Sequence, residues 1–193
     1  MEKLRVGVAM CGSFCTFDTA LAAFEALAAG EKYELTPILS ENAYGTDSRF
    51  GDAADFIARM EKICGRKALH SIPQVEPIGP KSLLDVLIVA PCTGNTLAKL
   101  ANGVTDTAVT MAAKAHLRGG KPLLLAVSTN DGLSGSAQNI AALLQRKNVY
   151  FVPFRQDDPE KKPFSLVADF SLLEPAMHAA LEGRQLQPIL LGA

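Results

Sequence analysis

Residues 84–106, LDVLIVAPCTGNTLAKLANGVTD, constrain the fold more than any other stretch of the chain. Val86 to Ala90 is an unbroken apolar run, the pattern of a strand covered on both faces. Pro91 lacks an N–H and pushes Ala90 toward extended backbone, so the strand is expected to stop there. The residues that follow, Cys92, Thr93, Gly94, Asn95 and Thr96, are small and mostly polar. Asn95, Lys99, Asn102 and Asp106 then recur at spacings of four, three and four, which a helix carries on roughly one face. Leu97, Leu100 and Ala101 are left to pack inward. A strand that ends in such a loop and opens a helix puts free N–H groups at the carboxyl end of a sheet, where α/β folds bind ligands. A single Thr or Asn here would be an ordinary helix cap. The density of hydroxyl and amide groups, with a lysine and an aspartate on the same face, points to a binding site instead.

The same strand–turn–helix unit recurs. Leu4 to Met10 reads as a strand, residues 11–16 as a turn, and Phe17, Leu21, Phe24 and Leu27 as the inward face of a helix stopped by Gly30. The turn has one glycine, Gly12, and not the G-x-G-x-x-G of a dinucleotide site. Ser13 and Thr16 therefore offer hydroxyls and helix-start N–H groups for a phosphate; N-capping is their competing use, with Thr16 the better cap. Leu123 to Val127 is a third such strand, followed by Ser128, Thr129, Asn130 and Asp131 and a helix over 136–146.

Tyr33 to Leu39 is a strand whose Pro37 argues for an edge position or a bulge. The polar stretch 40–51 reads as an irregular loop, with Ser40 on the same rim as the first turn, and precedes a helix over 52–63. Arg49 in that loop can grip a carboxylate bidentately, although a loop arginine is more commonly solvated or bonded to a neighbour such as Asp47. The proline-bearing segment 68–81 reads as a surface connector with His70 as a surface histidine. Residues 107–117 read as a continuing helix, with His116 a cation favoured by the helix end. Tyr150 to Val152 is a last short strand, and the charged segment 153–165 is expected to be an irregular arm or lid. After a helix over 172–181, the apolar Ile189 to Leu191 suggests a partner surface.

Alternating strands and helices over 193 residues, 48% hydrophobic and 20% charged, imply one α/β domain with a doubly wound parallel sheet. The three polar rims, 12–16, 91–95 and 128–131, then face one edge of it. A net charge of −1 gives no footprint for nucleic acid or an acidic membrane. No apolar run approaches the roughly 20 residues of a membrane span. The first ten residues run straight into a strand pattern, so no signal peptide is expected, and Cys11, Cys15, Cys64 and Cys92 read as cytoplasmic thiols with neither a disulfide framework nor a metal-ligand set.

The stretch APCTGNTLAKLANGVTD resembles the signature of the homo-oligomeric flavin-containing decarboxylase superfamily, whose members carry a similar AP-x-T/S-x-N-T-x-A-K-x-A-x-G-x-x-D. GSFCTFD, TDSRFG, EPIGPKSLLD, STNDGL, FVPFRQDDPEKKP and LEGRQLQPILL resemble one branch of that family, and together they cover nearly the whole chain. The resemblance implies a Rossmann-like flavoprotein fold, FMN as cofactor and a homo-oligomer. It also implies a nicotinamide-binding partner protein carrying NAD or NADP, and a two-electron oxidation that aromatises a small ring dicarboxylate. The place it implies is the cytoplasm of the mother cell of a spore-forming bacterium. By family position Gly12, Ser13, Thr16 and Ser40 surround the flavin phosphate and ribityl chain. Pro91, Thr93, Asn95, Thr96 and Lys99 meet the phosphate or ring, Ser128 and Thr129 form the far wall, and Arg49 meets the substrate. Decarboxylases of the family commonly place a histidine near the flavin, yet none of His70, His116 and His178 lies in a rim turn, so no base is named. The other readings are a different flavin enzyme of the family, a phosphopantothenoylcysteine decarboxylase or flavin prenyltransferase, and a non-catalytic companion of the nicotinamide-binding partner.

Overall fold

The computed structural model of the chain describes residues 3–192. Five strands lie parallel: β1 (Leu4–Met10), β2 (Tyr33–Leu39), β3 (Val86–Cys92), β4 (Leu123–Thr129) and β5 (Val149–Phe151). The order runs β2-β1-β3-β4, with β5 beside the first half of β4. The middle strands are apolar throughout because both faces are covered: Val86 to Ala90 and Leu123 to Val127 are 0% exposed. α1 (Phe17–Ala29) and α8 (Leu173–Leu181) pack against the sheet and are linked by the turn at 170–172. α5 (Gly94–Asn102), α6 (Ala108–Arg118) and α7 (Ala137–Leu144) form a second layer; right-handed crossovers put it on the opposite face. β2 is an edge strand, the first of the two settings its proline allows, and Leu69 covers part of it by exchanging backbone bonds with Pro37 and Leu39.

Several segments depart from the expectation. Pro91 does not end β3; the strand runs through it to Cys92, with a register shift between Val89 and Cys92. Where a bulge has already opened the ladder, a missing N–H costs nothing, and the Pro91 carbonyl accepts from the Cys11 N–H at 3.3 Å. The central helix is two helices. Gly103 takes φ +72° and closes α5, and Thr107 starts α6 by accepting from the Thr110 N–H. Asp106 therefore lies beyond the α5 face and reaches it through an ion pair with Lys99 at 2.9 Å.

The loop at 40–51 contains α2 (Glu41–Gly45), capped by Ser40, before α3 (Ala53–Cys64). The connector at 68–81 is more than a surface link. It holds α4 (Ile72–Val75), started by a Ser71–Gln74 capping box, and buries Val75 and Ile78 under α6. The charged segment 153–165 is an antiparallel hairpin of β6 (Phe154–Asp158) and β7 (Lys162–Ala168). β7 adds to β4 at Ser128 and Thr129, so the sheet is mixed and not purely parallel. Only one face of the hairpin needs apolar residues, Leu166 and Ala168 on β7 here, and its charges sit on exposed positions that mask the strand pattern. The apolar tail is held to it, Ile189 and Leu191 bonding the Phe154 backbone while Leu190 stays exposed. His116 is not a cation at a helix end. It is 2% exposed, burial pushes its pKa down to about 4, and its Nε2–H donates to the Pro122 carbonyl at 2.9 Å.

Candidate cofactor and substrate cavity

The carboxyl ends of β1, β3 and β4 converge on a cavity of about 700 Å³. The first rim supplies Gly12 to Thr16, the second Thr93 to Asn95 and the third Ser128 to Asp131. Arg49 and Phe50 flank it on one side; the hairpin adds Asp157, Lys162 and Ser165 to Val167. Of the residues singled out by sequence, Gly12, Ser13, Thr16, Arg49, Thr93, Asn95, Ser128 and Thr129 line this cavity. A smaller pocket of about 200 Å³ shares Gly12, Thr93 and Asn95 and adds Ser40, Thr96 and Lys99. Pro91 lines neither and is buried inside β3.

The hydroxyls divide into two groups. Thr93 and Ser40 cap helices, accepting from the Thr96 and Ala43 N–H groups, and Thr93 also donates to the Thr96 hydroxyl. Ser13 and Thr16, the other cap candidates, make no cap bond at all. Their hydroxyls meet Ser128 Oγ at 2.9 Å and 3.3 Å, joining the first rim to the third in a small polar ring. Helix α5 begins at this point, and the first N–H groups of any helix lack a partner within it. Gly94 stands there because nothing larger fits. A Cβ would lie 2.5 Å from Ser136 Oγ, 2.6 Å from Thr129 Oγ1 and 2.7 Å from Asp131 Oδ1. The second rim is thereby pressed against the third.

Charge in the cavity is unevenly committed. Asp131 Oδ1 accepts from the Thr129 and Ser136 hydroxyls at 2.5 and 2.8 Å, within its own loop. Lys162 Nζ bonds Asp157 Oδ2 at 2.6 Å. Arg49 has no carboxylate partner among the described residues; its guanidinium rests over the Phe50 ring at 4.9 Å. Asp47, the neighbour that would have neutralised it, instead accepts from the Ala53 N–H at 2.9 Å and helps start α3. No histidine lines the cavity: His70 stacks on Tyr44 with ring centres 3.8 Å apart, and His178 bonds the Tyr33 hydroxyl at 2.8 Å. Cys11, beneath the smaller pocket, is pushed up to about 11 by burial, and burial holds Cys92 well above the ordinary thiol range, so both remain protonated. The hairpin residues were missed because charge and proline at 155–163 hid the short alternation of β7.

The family model that matches this chain is described as Flavoprotein and covers residues 1–179. The chain belongs to the flavoprotein family. This flavoprotein is 43% identical to the B subunit of dipicolinate synthase of Bacillus subtilis (strain 168), across 99% of its own length and 95% of the relative's. It is also similar to the crystal structure of the dipicolinate synthase B subunit from Bacillus halodurans, with a TM-score of 0.89 and 40% identity over 100% of this chain and 99% of that one. The FMN-dependent cysteine decarboxylase SpaF shares the fold, with a TM-score of 0.66 at 19% identity over 92% of this chain and 97% of its own. The chain thus has the α/β architecture read from the strand and helix alternation and the flavoprotein fold that the resemblance implies. No helix among the described residues is long and apolar enough to cross a membrane.

Proposed function

We propose that the cavity holds FMN and that the chain is the B subunit of a dipicolinate synthase. It would work beside that enzyme's nicotinamide-binding partner protein, which carries NAD or NADP, in the two-electron oxidation of a dihydrodipicolinate-type ring acid. Aromatisation removes a hydride equivalent and a proton, and the nicotinamide is the acceptor for the hydride equivalent. The reading places the protein in the mother-cell cytoplasm of a sporulating bacterium, as a homo-oligomer in contact with the nicotinamide-binding partner.

The observation that carries the flavin assignment is the set of hydroxyls on Ser13, Thr16 and Ser128, none spent on a helix cap, around the open start of α5. The volume suits a cofactor of this size, since ligand cavities run from about 300 to 1,000 Å³. Gly12, Ser13, Thr16 and Ser40 would hold the phosphate and ribityl chain. Thr93, Asn95, Thr96 and Lys99 would approach the phosphate or ring, with Ser128 and Thr129 opposite. When bound, FMN supplies a two-electron redox centre. This chain's own part is to donate N–H and O–H groups to the phosphate, to keep water from the ring face, and to present Arg49 to a substrate carboxylate.

One observation favours a second reading, in which the chain positions the nicotinamide-binding partner and does no chemistry. The cavity offers no histidine, and both of its aspartates are already bonded. The visible absorbance spectrum, taken before and after adding FMN, separates the two. A yellow protein with a band shifted from that of free FMN is the expected result. A colourless protein that leaves added FMN unperturbed would overturn the flavin assignment and leave the positioning role.

A further inference from the structure

Four charged side chains line the large cavity, and only one of them lacks an internal countercharge or hydroxyl donors. Arg49 reaches it from the segment after β2, at one edge of the sheet; Lys162 reaches it from β7, beyond β4 on the other side. The two cations thus approach one space from opposite flanks. Asp131 is satisfied by the Thr129 and Ser136 hydroxyls and offers Lys162 no competition. The remaining anion, Asp157, holds Lys162 at 2.6 Å, but the pair is open to water, with 56% of Lys162 and 37% of Asp157 exposed. A pair so exposed adds little net stability, so another carboxylate exchanges into it easily.

We propose that Arg49 and Lys162 form a two-point grip for a small dicarboxylate, with Asp157 holding the ammonium in place until the second carboxylate displaces it. This rests on the dicarboxylate reading above and goes beyond it by naming Lys162 and Asp157 as specificity residues. Two cations lining one cavity suit a small ring acid that carries two carboxylates. A single carboxylate satisfies Arg49 alone and leaves the Asp157–Lys162 pair closed. Because Asp157 competes for the ammonium and repels an incoming anion, its removal has the opposite sign from removal of Lys162.

The test uses the FMN-loaded full chain and isothermal titration calorimetry with two probes, pyridine-2,6-dicarboxylate and pyridine-2-carboxylate. The wild type is expected to prefer the dicarboxylate by about tenfold, the scale set by one charge-assisted hydrogen bond. Lys162→Gln is expected to abolish that preference, and Asp157→Asn to strengthen dicarboxylate binding severalfold. Arg49→Ala should weaken both probes, raising the substrate KM far more than it lowers flavin affinity. A preference that Lys162→Gln leaves within twofold overturns the grip while the dicarboxylate reading stands. Loss of FMN retention in Lys162→Gln also overturns it, because the ammonium would then belong to the cofactor. Failure of the wild type to bind either probe overturns the grip together with the reading beneath it.

Discussion

The two ends of the sheet handle polar groups in opposite ways. At the amino end, Arg5 at the start of β1, Asp85 before β3 and Lys121 before β4 form one network. Asp85 accepts from Arg5 Nη2 at 2.6 Å and from Lys121 Nζ at 3.0 Å, and also from the Arg5 backbone N–H. The Arg5 guanidinium holds its carboxyl well below the usual range. His116 is packed beside this network, neutral and bonded to Pro122. At the carboxyl end, the Ser13, Thr16 and Ser128 hydroxyls bond one another on the wall of an open cavity, Arg49 has no carboxylate partner among the described residues, and a glycine is required for the rims to meet. Polar groups that satisfy one another hold a fold together. Polar groups arranged around open space are free to satisfy a ligand, and that difference marks which end of the sheet carries function.

The largest expected effect tests the amino end. His116 binds no proton in the folded state until pH falls to about 4, against an ordinary value of 6.5. The unfolded chain takes up that proton first, so stability drops as pH falls between these values, by up to about 3 kcal/mol near pH 4. Urea denaturation across this range should show the slope, and His116→Gln, which keeps a donor for Pro122, should flatten it. Asp85 acts with the same sign in a lower window. Its folded pKa is depressed, so its contribution persists down to the ordinary value of 3.8 and is lost only below it. Asp85→Asn is the next largest change, removing the charge that two cations share at a partly exposed site. A stability loss of about 2 kcal/mol with unaltered FMN affinity is expected, from denaturant midpoints and flavin titration. A fall in flavin affinity of similar size would dissolve the distinction between the two ends.

At the carboxyl end flavin retention should respond as well. Gly94→Ala forces a Cβ into three polar atoms, so about 1.5 kcal/mol of stability is lost through overpacking, together with most flavin retention. Asn95→Ala is the mildest change and the sharpest. Thermal stability should be unchanged, and FMN affinity should fall about fivefold, the worth of one hydrogen bond of about 1 kcal/mol. Unchanged flavin occupancy after that substitution would remove Asn95 from the site.

Much of this was legible along the chain. The runs at Val86 to Ala90 and Leu123 to Val127 announced central strands because burial on both faces demands continuous apolar side chains. The polar turns after them announced a rim. The hairpin was not legible, since Lys162 and Pro163 occupy positions that only pairing with β6 and β4 makes into strand. His116 read as a cation because sequence shows its place at a helix end but not the depth of its burial. Pro91 read as a stop because nothing local announces a bulge.

Local propensity and apolar patterning, which act over a few residues, determined from sequence alone that strands and helices alternate and that three hydroxyl-rich turns follow three strands. What a side chain does with its hydrogen bonds depends on partners more than a hundred residues away, and only the tertiary structure decided it. Ser13 and Thr16 are cap residues by type, yet Ser128, at separations of 115 and 112 residues, gives their hydroxyls another role. Arg49 could have been neutralised by Asp47, and it lines the cavity without a carboxylate partner because folding spent that aspartate on the start of α3.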